Sequence, residues 1–187
     1  CYAYLKKPLC IKDANFFASK NDKILILGLD DKGKTTLLKT MSAFEERYFG
    51  EVYFNGIELR KIHPKDRNFS LIFDYTTLLN DTIDANLKYL YDVIGKEMPV
   101  IEDRVKLLSL FGLNYKLNDK VKKLSIFEKF KLSLLRVYIK NSNIVFIDDI
   151  LKNEFTEDEV NKLFDYIEMI SKDRILFLCA NDESFRT

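Results

Sequence analysis

Residues 24–36 read ILILGLDDKGKTT, an apolar run followed directly by a loop that contains glycine, lysine and threonine. The loop has the spacing Gly-x-x-x-x-Gly-Lys-Thr between a predicted strand and a predicted helix, which is typical of a phosphate-binding loop. Its backbone N–H groups and the start of the following helix would bind phosphates. Lys34 would reach the β- and γ-phosphates, and the Thr35 hydroxyl would hold Mg²⁺. The segment therefore predicts an α/β protein that binds nucleotide phosphates.

The individual positions of this loop carry separate expectations. Gly28 and Gly33 are expected to allow turns that a Cβ would obstruct. Two carboxylates, Asp30 and Asp31, are tolerable near phosphates only if they point outward. The residues predicted to bind nucleotide here are Gly28, Asp31, Lys32, Gly33, Lys34, Thr35 and Thr36.

A second apolar run supplies an acidic side chain at the end of a strand. Residues 144–148 read IVFID, so four apolar residues predict a buried strand and Asp148 follows at its carboxyl end. Ligands bind at that end of the strands in open parallel sheets. A carboxylate there suits Mg²⁺ that bridges nucleotide phosphates. Asp148 is therefore predicted as a magnesium ligand beside the phosphate-binding loop.

Composition limits the class of protein. The chain has 187 residues, enough for one domain with a substantial core, and a formal net charge of +1. That charge provides no field for nucleic acid, so no nucleic-acid partner is expected. No run of about 18 apolar residues predicts a membrane span. Because Cys1 stands where an initiator Met would, we expect 1–187 to be a single domain from a longer chain.

The pattern along the chain predicts the fold class. Segments 2–5 and 9–17 alternate like edge strands, 23–27 reads as a fully buried strand, and 51–59 reads as a hairpin that turns at Asn55-Gly56. Strands alternating with helices imply a mostly parallel core sheet. Helical periodicity between about 80 and 140 predicts an inserted α-helical subdomain. Ser125 and Thr156 are each predicted to cap the start of a helix. We therefore expect an α/β phosphate-loop NTPase with an antiparallel β edge subdomain.

Motifs in the right order carry a family resemblance. Residues 124–136 read LSIFEKFKLSLLR, upstream of the acidic strand, and 79–87 read LNDTIDANL. Together with the phosphate loop, the whole chain resembles the nucleotide-binding domain of ATP-binding cassette (ABC) transporters. Residues 50–62 and 79–87 are similar to exporter-type members.

The resemblance implies a set of functional residues. ATP would stack its adenine on Tyr4, and Ser125 of the signature segment would contact a nucleotide. Asp74 stands at the position of the family glutamine and would bind Mg²⁺. Asp149 stands at the position of the catalytic glutamate, and Asn181 at that of the switch histidine that contacts the γ-phosphate.

The sequence differs from the family pattern at the positions that take part in ATP hydrolysis. Asp149 is one methylene shorter than glutamate, and a misplacement of about 1 Å can cost about 100-fold in rate. Asn181 cannot become cationic near neutral pH. In the signature, Ile126 and Phe127 replace two glycines and Glu128 replaces glutamine, so Phe127 is expected to crowd a close approach and Glu128 to add a like charge.

The resemblance thus predicts an exporter-type ATP-binding domain with weak or impaired hydrolysis. Its partners would be a second nucleotide-binding domain, paired head-to-tail, and a transmembrane transporter domain that docks near 74–90, which places the chain at the cytoplasmic face of the membrane. The alternative is a non-catalytic regulatory or structural module that binds nucleotide without turnover.

Two other features have ordinary interpretations. The single histidine, His63, precedes a proline and is expected in a surface loop. The aromatic residues Phe44, Tyr48, Phe49 and Tyr53 lack a basic patch around them, so core packing is expected rather than nucleic-acid binding.

Overall fold

The computed structural model describes residues 11, 13–28, 33–45, 48–73, 78–114, 116–148 and 155–180. These residues divide into two compact units. The first contains 11–71, 143–148 and 173–180, and the second contains 72–142 and 155–172, each with the gaps stated above.

The first unit contains a four-stranded sheet. Its strands are β1 (Lys23–Leu27), β4 (Phe69–Ile72, of which 69–71 belong to this unit), β5 (Ile144–Ile147) and β6 (Ile175–Ala180), in the order β1-β6-β5-β4. Strand β6 pairs in parallel with both β1 and β5. The first unit also holds helix α1 (Lys34–Met41), which follows β1. The predicted parallel core sheet is confirmed.

Aromatic rings form the core over this sheet. Phe146 and Phe177 stack at 5.1 Å with an angle of 10° between their planes. Phe69 packs edge-on against Phe146 at 5.8 Å, and Phe54 against Phe69 at 5.2 Å. Such pairs stabilise a core beyond the burial of their area. These ring contacts hold β5 and β6 in place. Asp148 directly follows the carboxyl end of β5, and β6 ends at Ala180.

A short hairpin lies in the same unit. Strands β2 (Tyr53–Phe54) and β3 (Ile57–Glu58) pair antiparallel around Asn55-Gly56. Both turn residues have positive φ, 50° and 77°, as this type of tight turn requires. The predicted turn is confirmed, with shorter strands than 51–59 because the 3₁₀ turn Leu59–Lys61 begins directly after β3.

Two predicted strand assignments need correction. Residues 13–17, within the predicted strand 9–17, form no β-strand, and Phe17 is 91% exposed. Strand β1 is not fully buried, because Leu25 and Leu27 are each 46% exposed on one face. An apolar sequence allows both faces of a strand to be buried. Whether a face is buried depends on which other elements pack against it.

The aromatic residues after α1 also differ from expectation. Tyr48 is buried, but Phe44 and Phe49 are 71% and 72% exposed and Tyr53 is largely exposed. The predicted core packing is therefore wrong for three of the four. The Tyr53 hydroxyl donates to the Glu51 carboxylate at 2.9 Å, which gives its polar end a surface partner. His63 is exposed, as expected, and its Nδ1 accepts a weak hydrogen bond from the Lys65 N–H at 3.4 Å.

The second unit is helical. Its helices are α2 (Ile83–Ile94), α3 (Ile101–Leu110), α4 (Ile126–Lys140) and α5 (Glu157–Ser171). Phe111 is fully buried among them, stacked on Tyr166 at 5.3 Å and edge-on to Tyr138 at 5.7 Å. Among the described helices, none combines the length and apolar character needed to cross a bilayer.

Candidate phosphate-binding site

Helix α1 begins at the second glycine of the phosphate-binding loop. Gly33 is its N-cap residue, with φ 92° and ψ 7°, a left-handed conformation that costs other residues strain. The Gly33 carbonyl accepts the first helical hydrogen bond, from Leu37 N–H at 2.8 Å. The expected need for glycine is thus borne out at Gly33.

Gly28 does not meet the same expectation. Its φ is not positive, and a Cβ built on it would lie 3.9 Å from the aliphatic carbons of Lys34, an ordinary van der Waals distance. Among the described residues, nothing would obstruct a Cβ at Gly28, whereas the loop residues 29–32 that follow it lie outside the described part of the chain. What Gly28 supplies is its carbonyl, because the Lys34 ammonium donates a hydrogen bond to it.

The first turn of α1 contains no acidic residue, although the Asp148 carboxylate, at the end of β5, contacts it through Thr35. The N-cap of α1 has no side-chain hydrogen bond. The first N–H groups of a helix lack partners within the helix, and the helix dipole places partial positive charge there. Lys34, the first residue of α1, is buried to 9% exposure and adds a full positive charge. This helix end is therefore suited to phosphate.

The two predicted magnesium ligands in the described residues lie side by side. The Thr35 hydroxyl, in the first turn of α1, donates to Asp148 Oδ2 at 2.5 Å, across 113 positions in sequence. The fully buried strand β5 delivers Asp148, itself only 7% exposed, to this point. Sequence spacing predicted both residues as ligands, and the fold brings their oxygen atoms into contact.

The donor set at this point fits Mg²⁺. A hydroxyl and a carboxylate are the hard oxygen ligands that this ion prefers, and it usually takes its remaining ligands from water and substrate phosphates. No cluster of three or more histidine, cysteine or acidic residues in the described parts of the chain would form an all-protein metal cage. Thr35 and Asp148 would hold the ion, which would supply positive charge to offset that of bound phosphates.

Ser125 lies in the second unit, as the N-cap of α4. Its hydroxyl accepts from Glu128 N–H at 3.1 Å, while Glu128 Oε2 accepts from Ser125 N–H at 2.8 Å. This reciprocal pair is a capping box. The helix start predicted at Ser125 is confirmed, whereas the role of Glu128 in its cap was missed, although the Ser-x-x-Glu spacing signals it.

Phe127 needs a correction. Its side chain is buried, edge-on to Phe155 at 5.5 Å and 5.1 Å from the Lys131 ammonium. The predicted crowding of a close approach by Phe127 is therefore wrong, because its ring fills the core of its own unit. The exposed apolar residue at this helix start is Ile126, 42% exposed.

Buried charge accompanies the same helix. The Lys131 ammonium donates to the Gly112 carbonyl at 2.7 Å. Burial lowers the pKa of Lys131, and the Glu128 carboxylate raises it in part. Lys131 thus ties α4 to the turn after α3.

Some of the predicted site residues belong to the described part of the chain, and others do not. Of them, Gly28, Gly33, Lys34, Thr35, Thr36 and Asp148 belong to the first unit. Thr36 follows Thr35 in α1 and is half-buried. The predictions for Tyr4, Asp31, Lys32, Asp74, Asp149 and Asn181 lie outside the described residues.

A large cavity lies apart from these groups. It has a volume of about 840 Å³ in the first unit and is lined largely by aromatic and aliphatic residues of 13–18, α1 and 48–55, together with the core rings of β4, β5 and β6. Neither Lys34, Thr35 nor Asp148 lines it. The candidate phosphate-binding residues therefore lie outside this cavity, where the start of α1 meets the end of β5.

The comparisons with known proteins agree with this geometry. The family model described as ABC transporter matches residues 11–152. The chain belongs to the ABC transporter family. The prediction of an ABC ATP-binding domain is confirmed.

Curated ABC relatives are similar over most of this chain. The spermidine/putrescine import ATP-binding protein PotA of Ureaplasma parvum is 29% identical over 151 residues, which is 75% of this chain and 29% of that protein. The ATP-dependent lipid A-core flippase of Methylobacillus flagellatus is 29% identical over 168 residues, 84% of this chain and 28% of that protein. The chain thus spans less than a third of either. Because an importer and a flippase are both similar, the likeness does not single out an exporter type.

A solved structure shares the ABC fold. It is described as a dimeric post-hydrolysis state of the ATP-binding cassette MJ0796 bound to ADP and Pi. The TM-score is 0.81 at 18% identity, covering 98% of this chain and 85% of that chain. The predicted fold class is confirmed by this match together with the parallel sheet, the hairpin and the helices.

Proposed function

We propose that this chain is the ATP-binding domain of an exporter-type ABC transporter, which binds Mg·ATP and hydrolyses it weakly. The observation that carries the proposal is the 2.5 Å hydrogen bond between the Thr35 hydroxyl and Asp148 at the start of an uncapped helix. It joins the two halves of a nucleotide site, the phosphate loop and the acidic strand end, which are far apart in sequence.

The residues have distinct roles in binding. The N–H groups at the start of α1 and the Lys34 ammonium take the β- and γ-phosphates. Thr35 and Asp148 would hold Mg²⁺, and the ion would supply positive charge that offsets the phosphate charge. By their positions in the sequence, Tyr4 stacks on adenine, Asp31 and Lys32 belong to the phosphate loop, and Asp74 adds a metal ligand.

Weak hydrolysis follows from the residues around the γ-phosphate. Asp149 is the general base, with a shorter side chain than the family glutamate, and Asn181 contacts the γ-phosphate without a positive charge. Binding and hydrolysis therefore depend on different residues, and only the second set departs strongly from the family pattern.

The partners of the domain follow from the family. A second nucleotide-binding domain pairs with it head-to-tail, and a transmembrane transporter domain docks near 74–90, at the cytoplasmic face of the membrane. Similarity of 50–62 and 79–87 to exporter-type members supports the exporter assignment.

Calorimetric titration with Mg·ATP tests the binding. We expect saturable heat for the wild type. Lys34→Ala is expected to weaken binding by about 10- to 100-fold, because a charge-assisted hydrogen bond contributes ~1.5–3 kcal/mol. Lys39→Ala, in the last turn of the same helix, removes an equal charge and serves as the matched control. Wild type without binding heat, or equal loss in both variants, contradicts the proposal.

Measurement of ATP turnover distinguishes the proposed weak ATPase from the alternative, a non-catalytic nucleotide-binding module. A non-catalytic module binds Mg·ATP but produces no phosphate even with its membrane partner present. Slow phosphate release that Lys34→Ala abolishes supports the weak ATPase.

A further inference from the structure

A buried arginine lies at the end of α1 that is farther from the phosphate-binding residues. Arg67 is only 7% exposed and belongs to the same compact unit as α1. Its Nη1 donates to the Ala43 carbonyl at 3.0 Å and, at 3.5 Å, to the Ser42 carbonyl, just past the last helical residue. Its Nε donates to the Ile62 carbonyl at 3.0 Å. One guanidinium therefore ties the C-terminal end of α1 to the segment between the hairpin and β4.

The chemistry of this contact favours a fixed position for the helix end. The last carbonyls of a helix lack partners within it, and the helix dipole places partial negative charge there, which attracts a cation. The planar fork of arginine donates to several acceptors in one rigid geometry. Ala43 has a φ of 50°, a left-handed conformation that is unfavourable for alanine and persists only where the surrounding structure holds it. Arg67 thus binds a helix end whose backbone has little freedom.

The same tie continues to strand β5. Asn68 follows Arg67, and its carbonyl accepts from the Asn143 N–H at 3.0 Å. Asn143 directly precedes β5, so two consecutive residues join the C-terminal end of α1 to the start of that strand. At the opposite ends of the two elements, the Thr35 hydroxyl donates to Asp148, which directly follows β5. Helix and strand are therefore joined at both ends, within one compact unit.

The lengths of the two elements match these ties. Helix α1 has eight residues and β5 has four, which correspond to about 12 Å and about 13 Å. Leu38, fully buried in the middle of α1, holds the helix to the core but does not prevent a tilt about that point. A tilt moves the two ends of a helix in opposite directions. The tie at Arg67 therefore also restricts the position of Thr35 at the other end.

We propose that Arg67 is a positioning residue for the magnesium site, because it holds α1 against β5 and so sets the distance between Thr35 and Asp148. Arg67 acts through the helix and does not itself contact the nucleotide. Mg²⁺ demands near-ideal octahedral geometry at short ligand distances, so a displaced Thr35 weakens metal binding more than it weakens phosphate binding. This inference rests on the proposed function and adds to it a residue remote from the phosphates.

The contribution of magnesium to ATP binding tests the inference. Calorimetry gives the Kd of ATP in EDTA and the Kd of Mg·ATP, and their ratio is the magnesium factor. Arg67→Met keeps an unbranched aliphatic side chain and removes the charge and the donors. We expect it to remove most of the magnesium factor, a loss of about tenfold, as for other residues that orient metal ligands without binding the metal. A merely structural role would lower the folded fraction and leave this ratio unchanged.

The chain offers a matched control in the same unit. Arg60 also binds two carbonyls, those of Tyr48 at 3.3 Å and Gly50 at 2.7 Å, and its guanidinium lies 4.1 Å from the centre of the Tyr48 ring. Neither carbonyl belongs to α1 or β5, so Arg60→Met should keep the wild-type magnesium factor. An unchanged factor in Arg67→Met, or an equal loss in both variants, overturns the proposal.

A milder variant covers the case in which Arg67→Met does not fold. Arg67→Lys keeps the positive charge, but one ammonium lacks the fork that reaches the Ala43 and Ile62 carbonyls together. We expect its magnesium factor to lie between those of the wild type and Arg67→Met. A wild-type factor in Arg67→Lys, when Arg67→Met does not fold, overturns the inference.

A second readout needs neither nucleotide nor metal. The backbone amide NMR shift of Thr35 in the nucleotide-free protein should move in Arg67→Met and stay in place in Arg60→Met, and an unmoved Thr35 amide in Arg67→Met contradicts the displacement. Absence of Mg·ATP heat in the wild type contradicts the proposed function itself. A wild-type magnesium factor that survives in Arg67→Met overturns only the role of Arg67, so the two failures are distinguishable.

Discussion

At the scale of single residues, the two glycines of the phosphate loop behave differently. Gly33 has φ 92° at the start of α1, while the φ of Gly28 is not positive and a Cβ built on Gly28 would come no closer than 3.9 Å to any described residue. The motif marks both as glycine without saying which one the backbone requires. The dihedral angles show that Gly33 adopts a conformation that favours glycine, whereas the observed contact of Gly28 is made by its carbonyl.

This difference predicts unequal costs of substitution. Gly33→Ala should destabilise the fold by about 1–2 kcal/mol, because a left-handed conformation costs an L-residue that much. Gly28→Ala, its matched control in the same loop, should change the free energy of unfolding by less than ~0.5 kcal/mol. Urea unfolding, with unchanged slopes, gives both values. Equal losses would contradict the assigned strain.

At the scale of elements, helix starts were predicted more reliably than the edge strand at 9–17. Ser125 and Thr156 were recognised as helix starts, and both cap α-helices with a box. Capping depends on residues within one turn, so the sequence records it locally. The strand predicted over 9–17 was wrong in its described part because a strand depends on a distant partner for its hydrogen bonds.

The glycines after α2 and α3 allow a prediction about element ends. Gly95 and Gly112 both have positive φ, 66° and 59°. A Cβ on Gly95 meets nothing within 4 Å, whereas on Gly112 it would lie 2.8 Å from the Tyr166 hydroxyl. Tyr166 is stacked on Phe111, which limits its movement.

Gly112→Ala should therefore cost more than Gly95→Ala. Each pays the left-handed strain of about 1–2 kcal/mol. Overpacking against Tyr166 should add about 1 kcal/mol at Gly112 alone. Thermal and urea unfolding of the two variants measure the difference. A Tyr166→Phe background, which removes the hydroxyl, should erase it, and persistence of the gap there would contradict the contact.

At the scale of the whole molecule, the family fold persists with little sequence identity. The shared fold with MJ0796 has a TM-score of 0.81 at 18% identity. Buried apolar positions tolerate exchange when volume and pattern are kept. The residues around the γ-phosphate do not have that freedom, because hydrolysis depends on their reach and charge. A fold can therefore remain while turnover is lost.

Turnover by the whole assembly provides a prediction. If Asp149 is the general base, as proposed, Asp149→Glu lengthens that base and should raise phosphate release by at least about tenfold, since a misplacement of about 1 Å costs about 100-fold. Asp165→Glu, at an exposed position of α5, adds the same methylene and should have no effect. Phosphate release at saturating Mg·ATP, with the membrane partner present, measures both. An unchanged rate for Asp149→Glu would show that the base does not limit turnover.

The sequence by itself determined the phosphate loop, the acidic strand end, the helix starts and the Asn55-Gly56 turn, because each depends on neighbours a few positions away. Tertiary structure alone decided that Thr35 meets Asp148 across 113 positions and that Phe127 is buried. It also decided that Phe44 and Phe49 are exposed. The physical reason is that contact and burial depend on which distant segments pack together, and a local pattern does not record that choice.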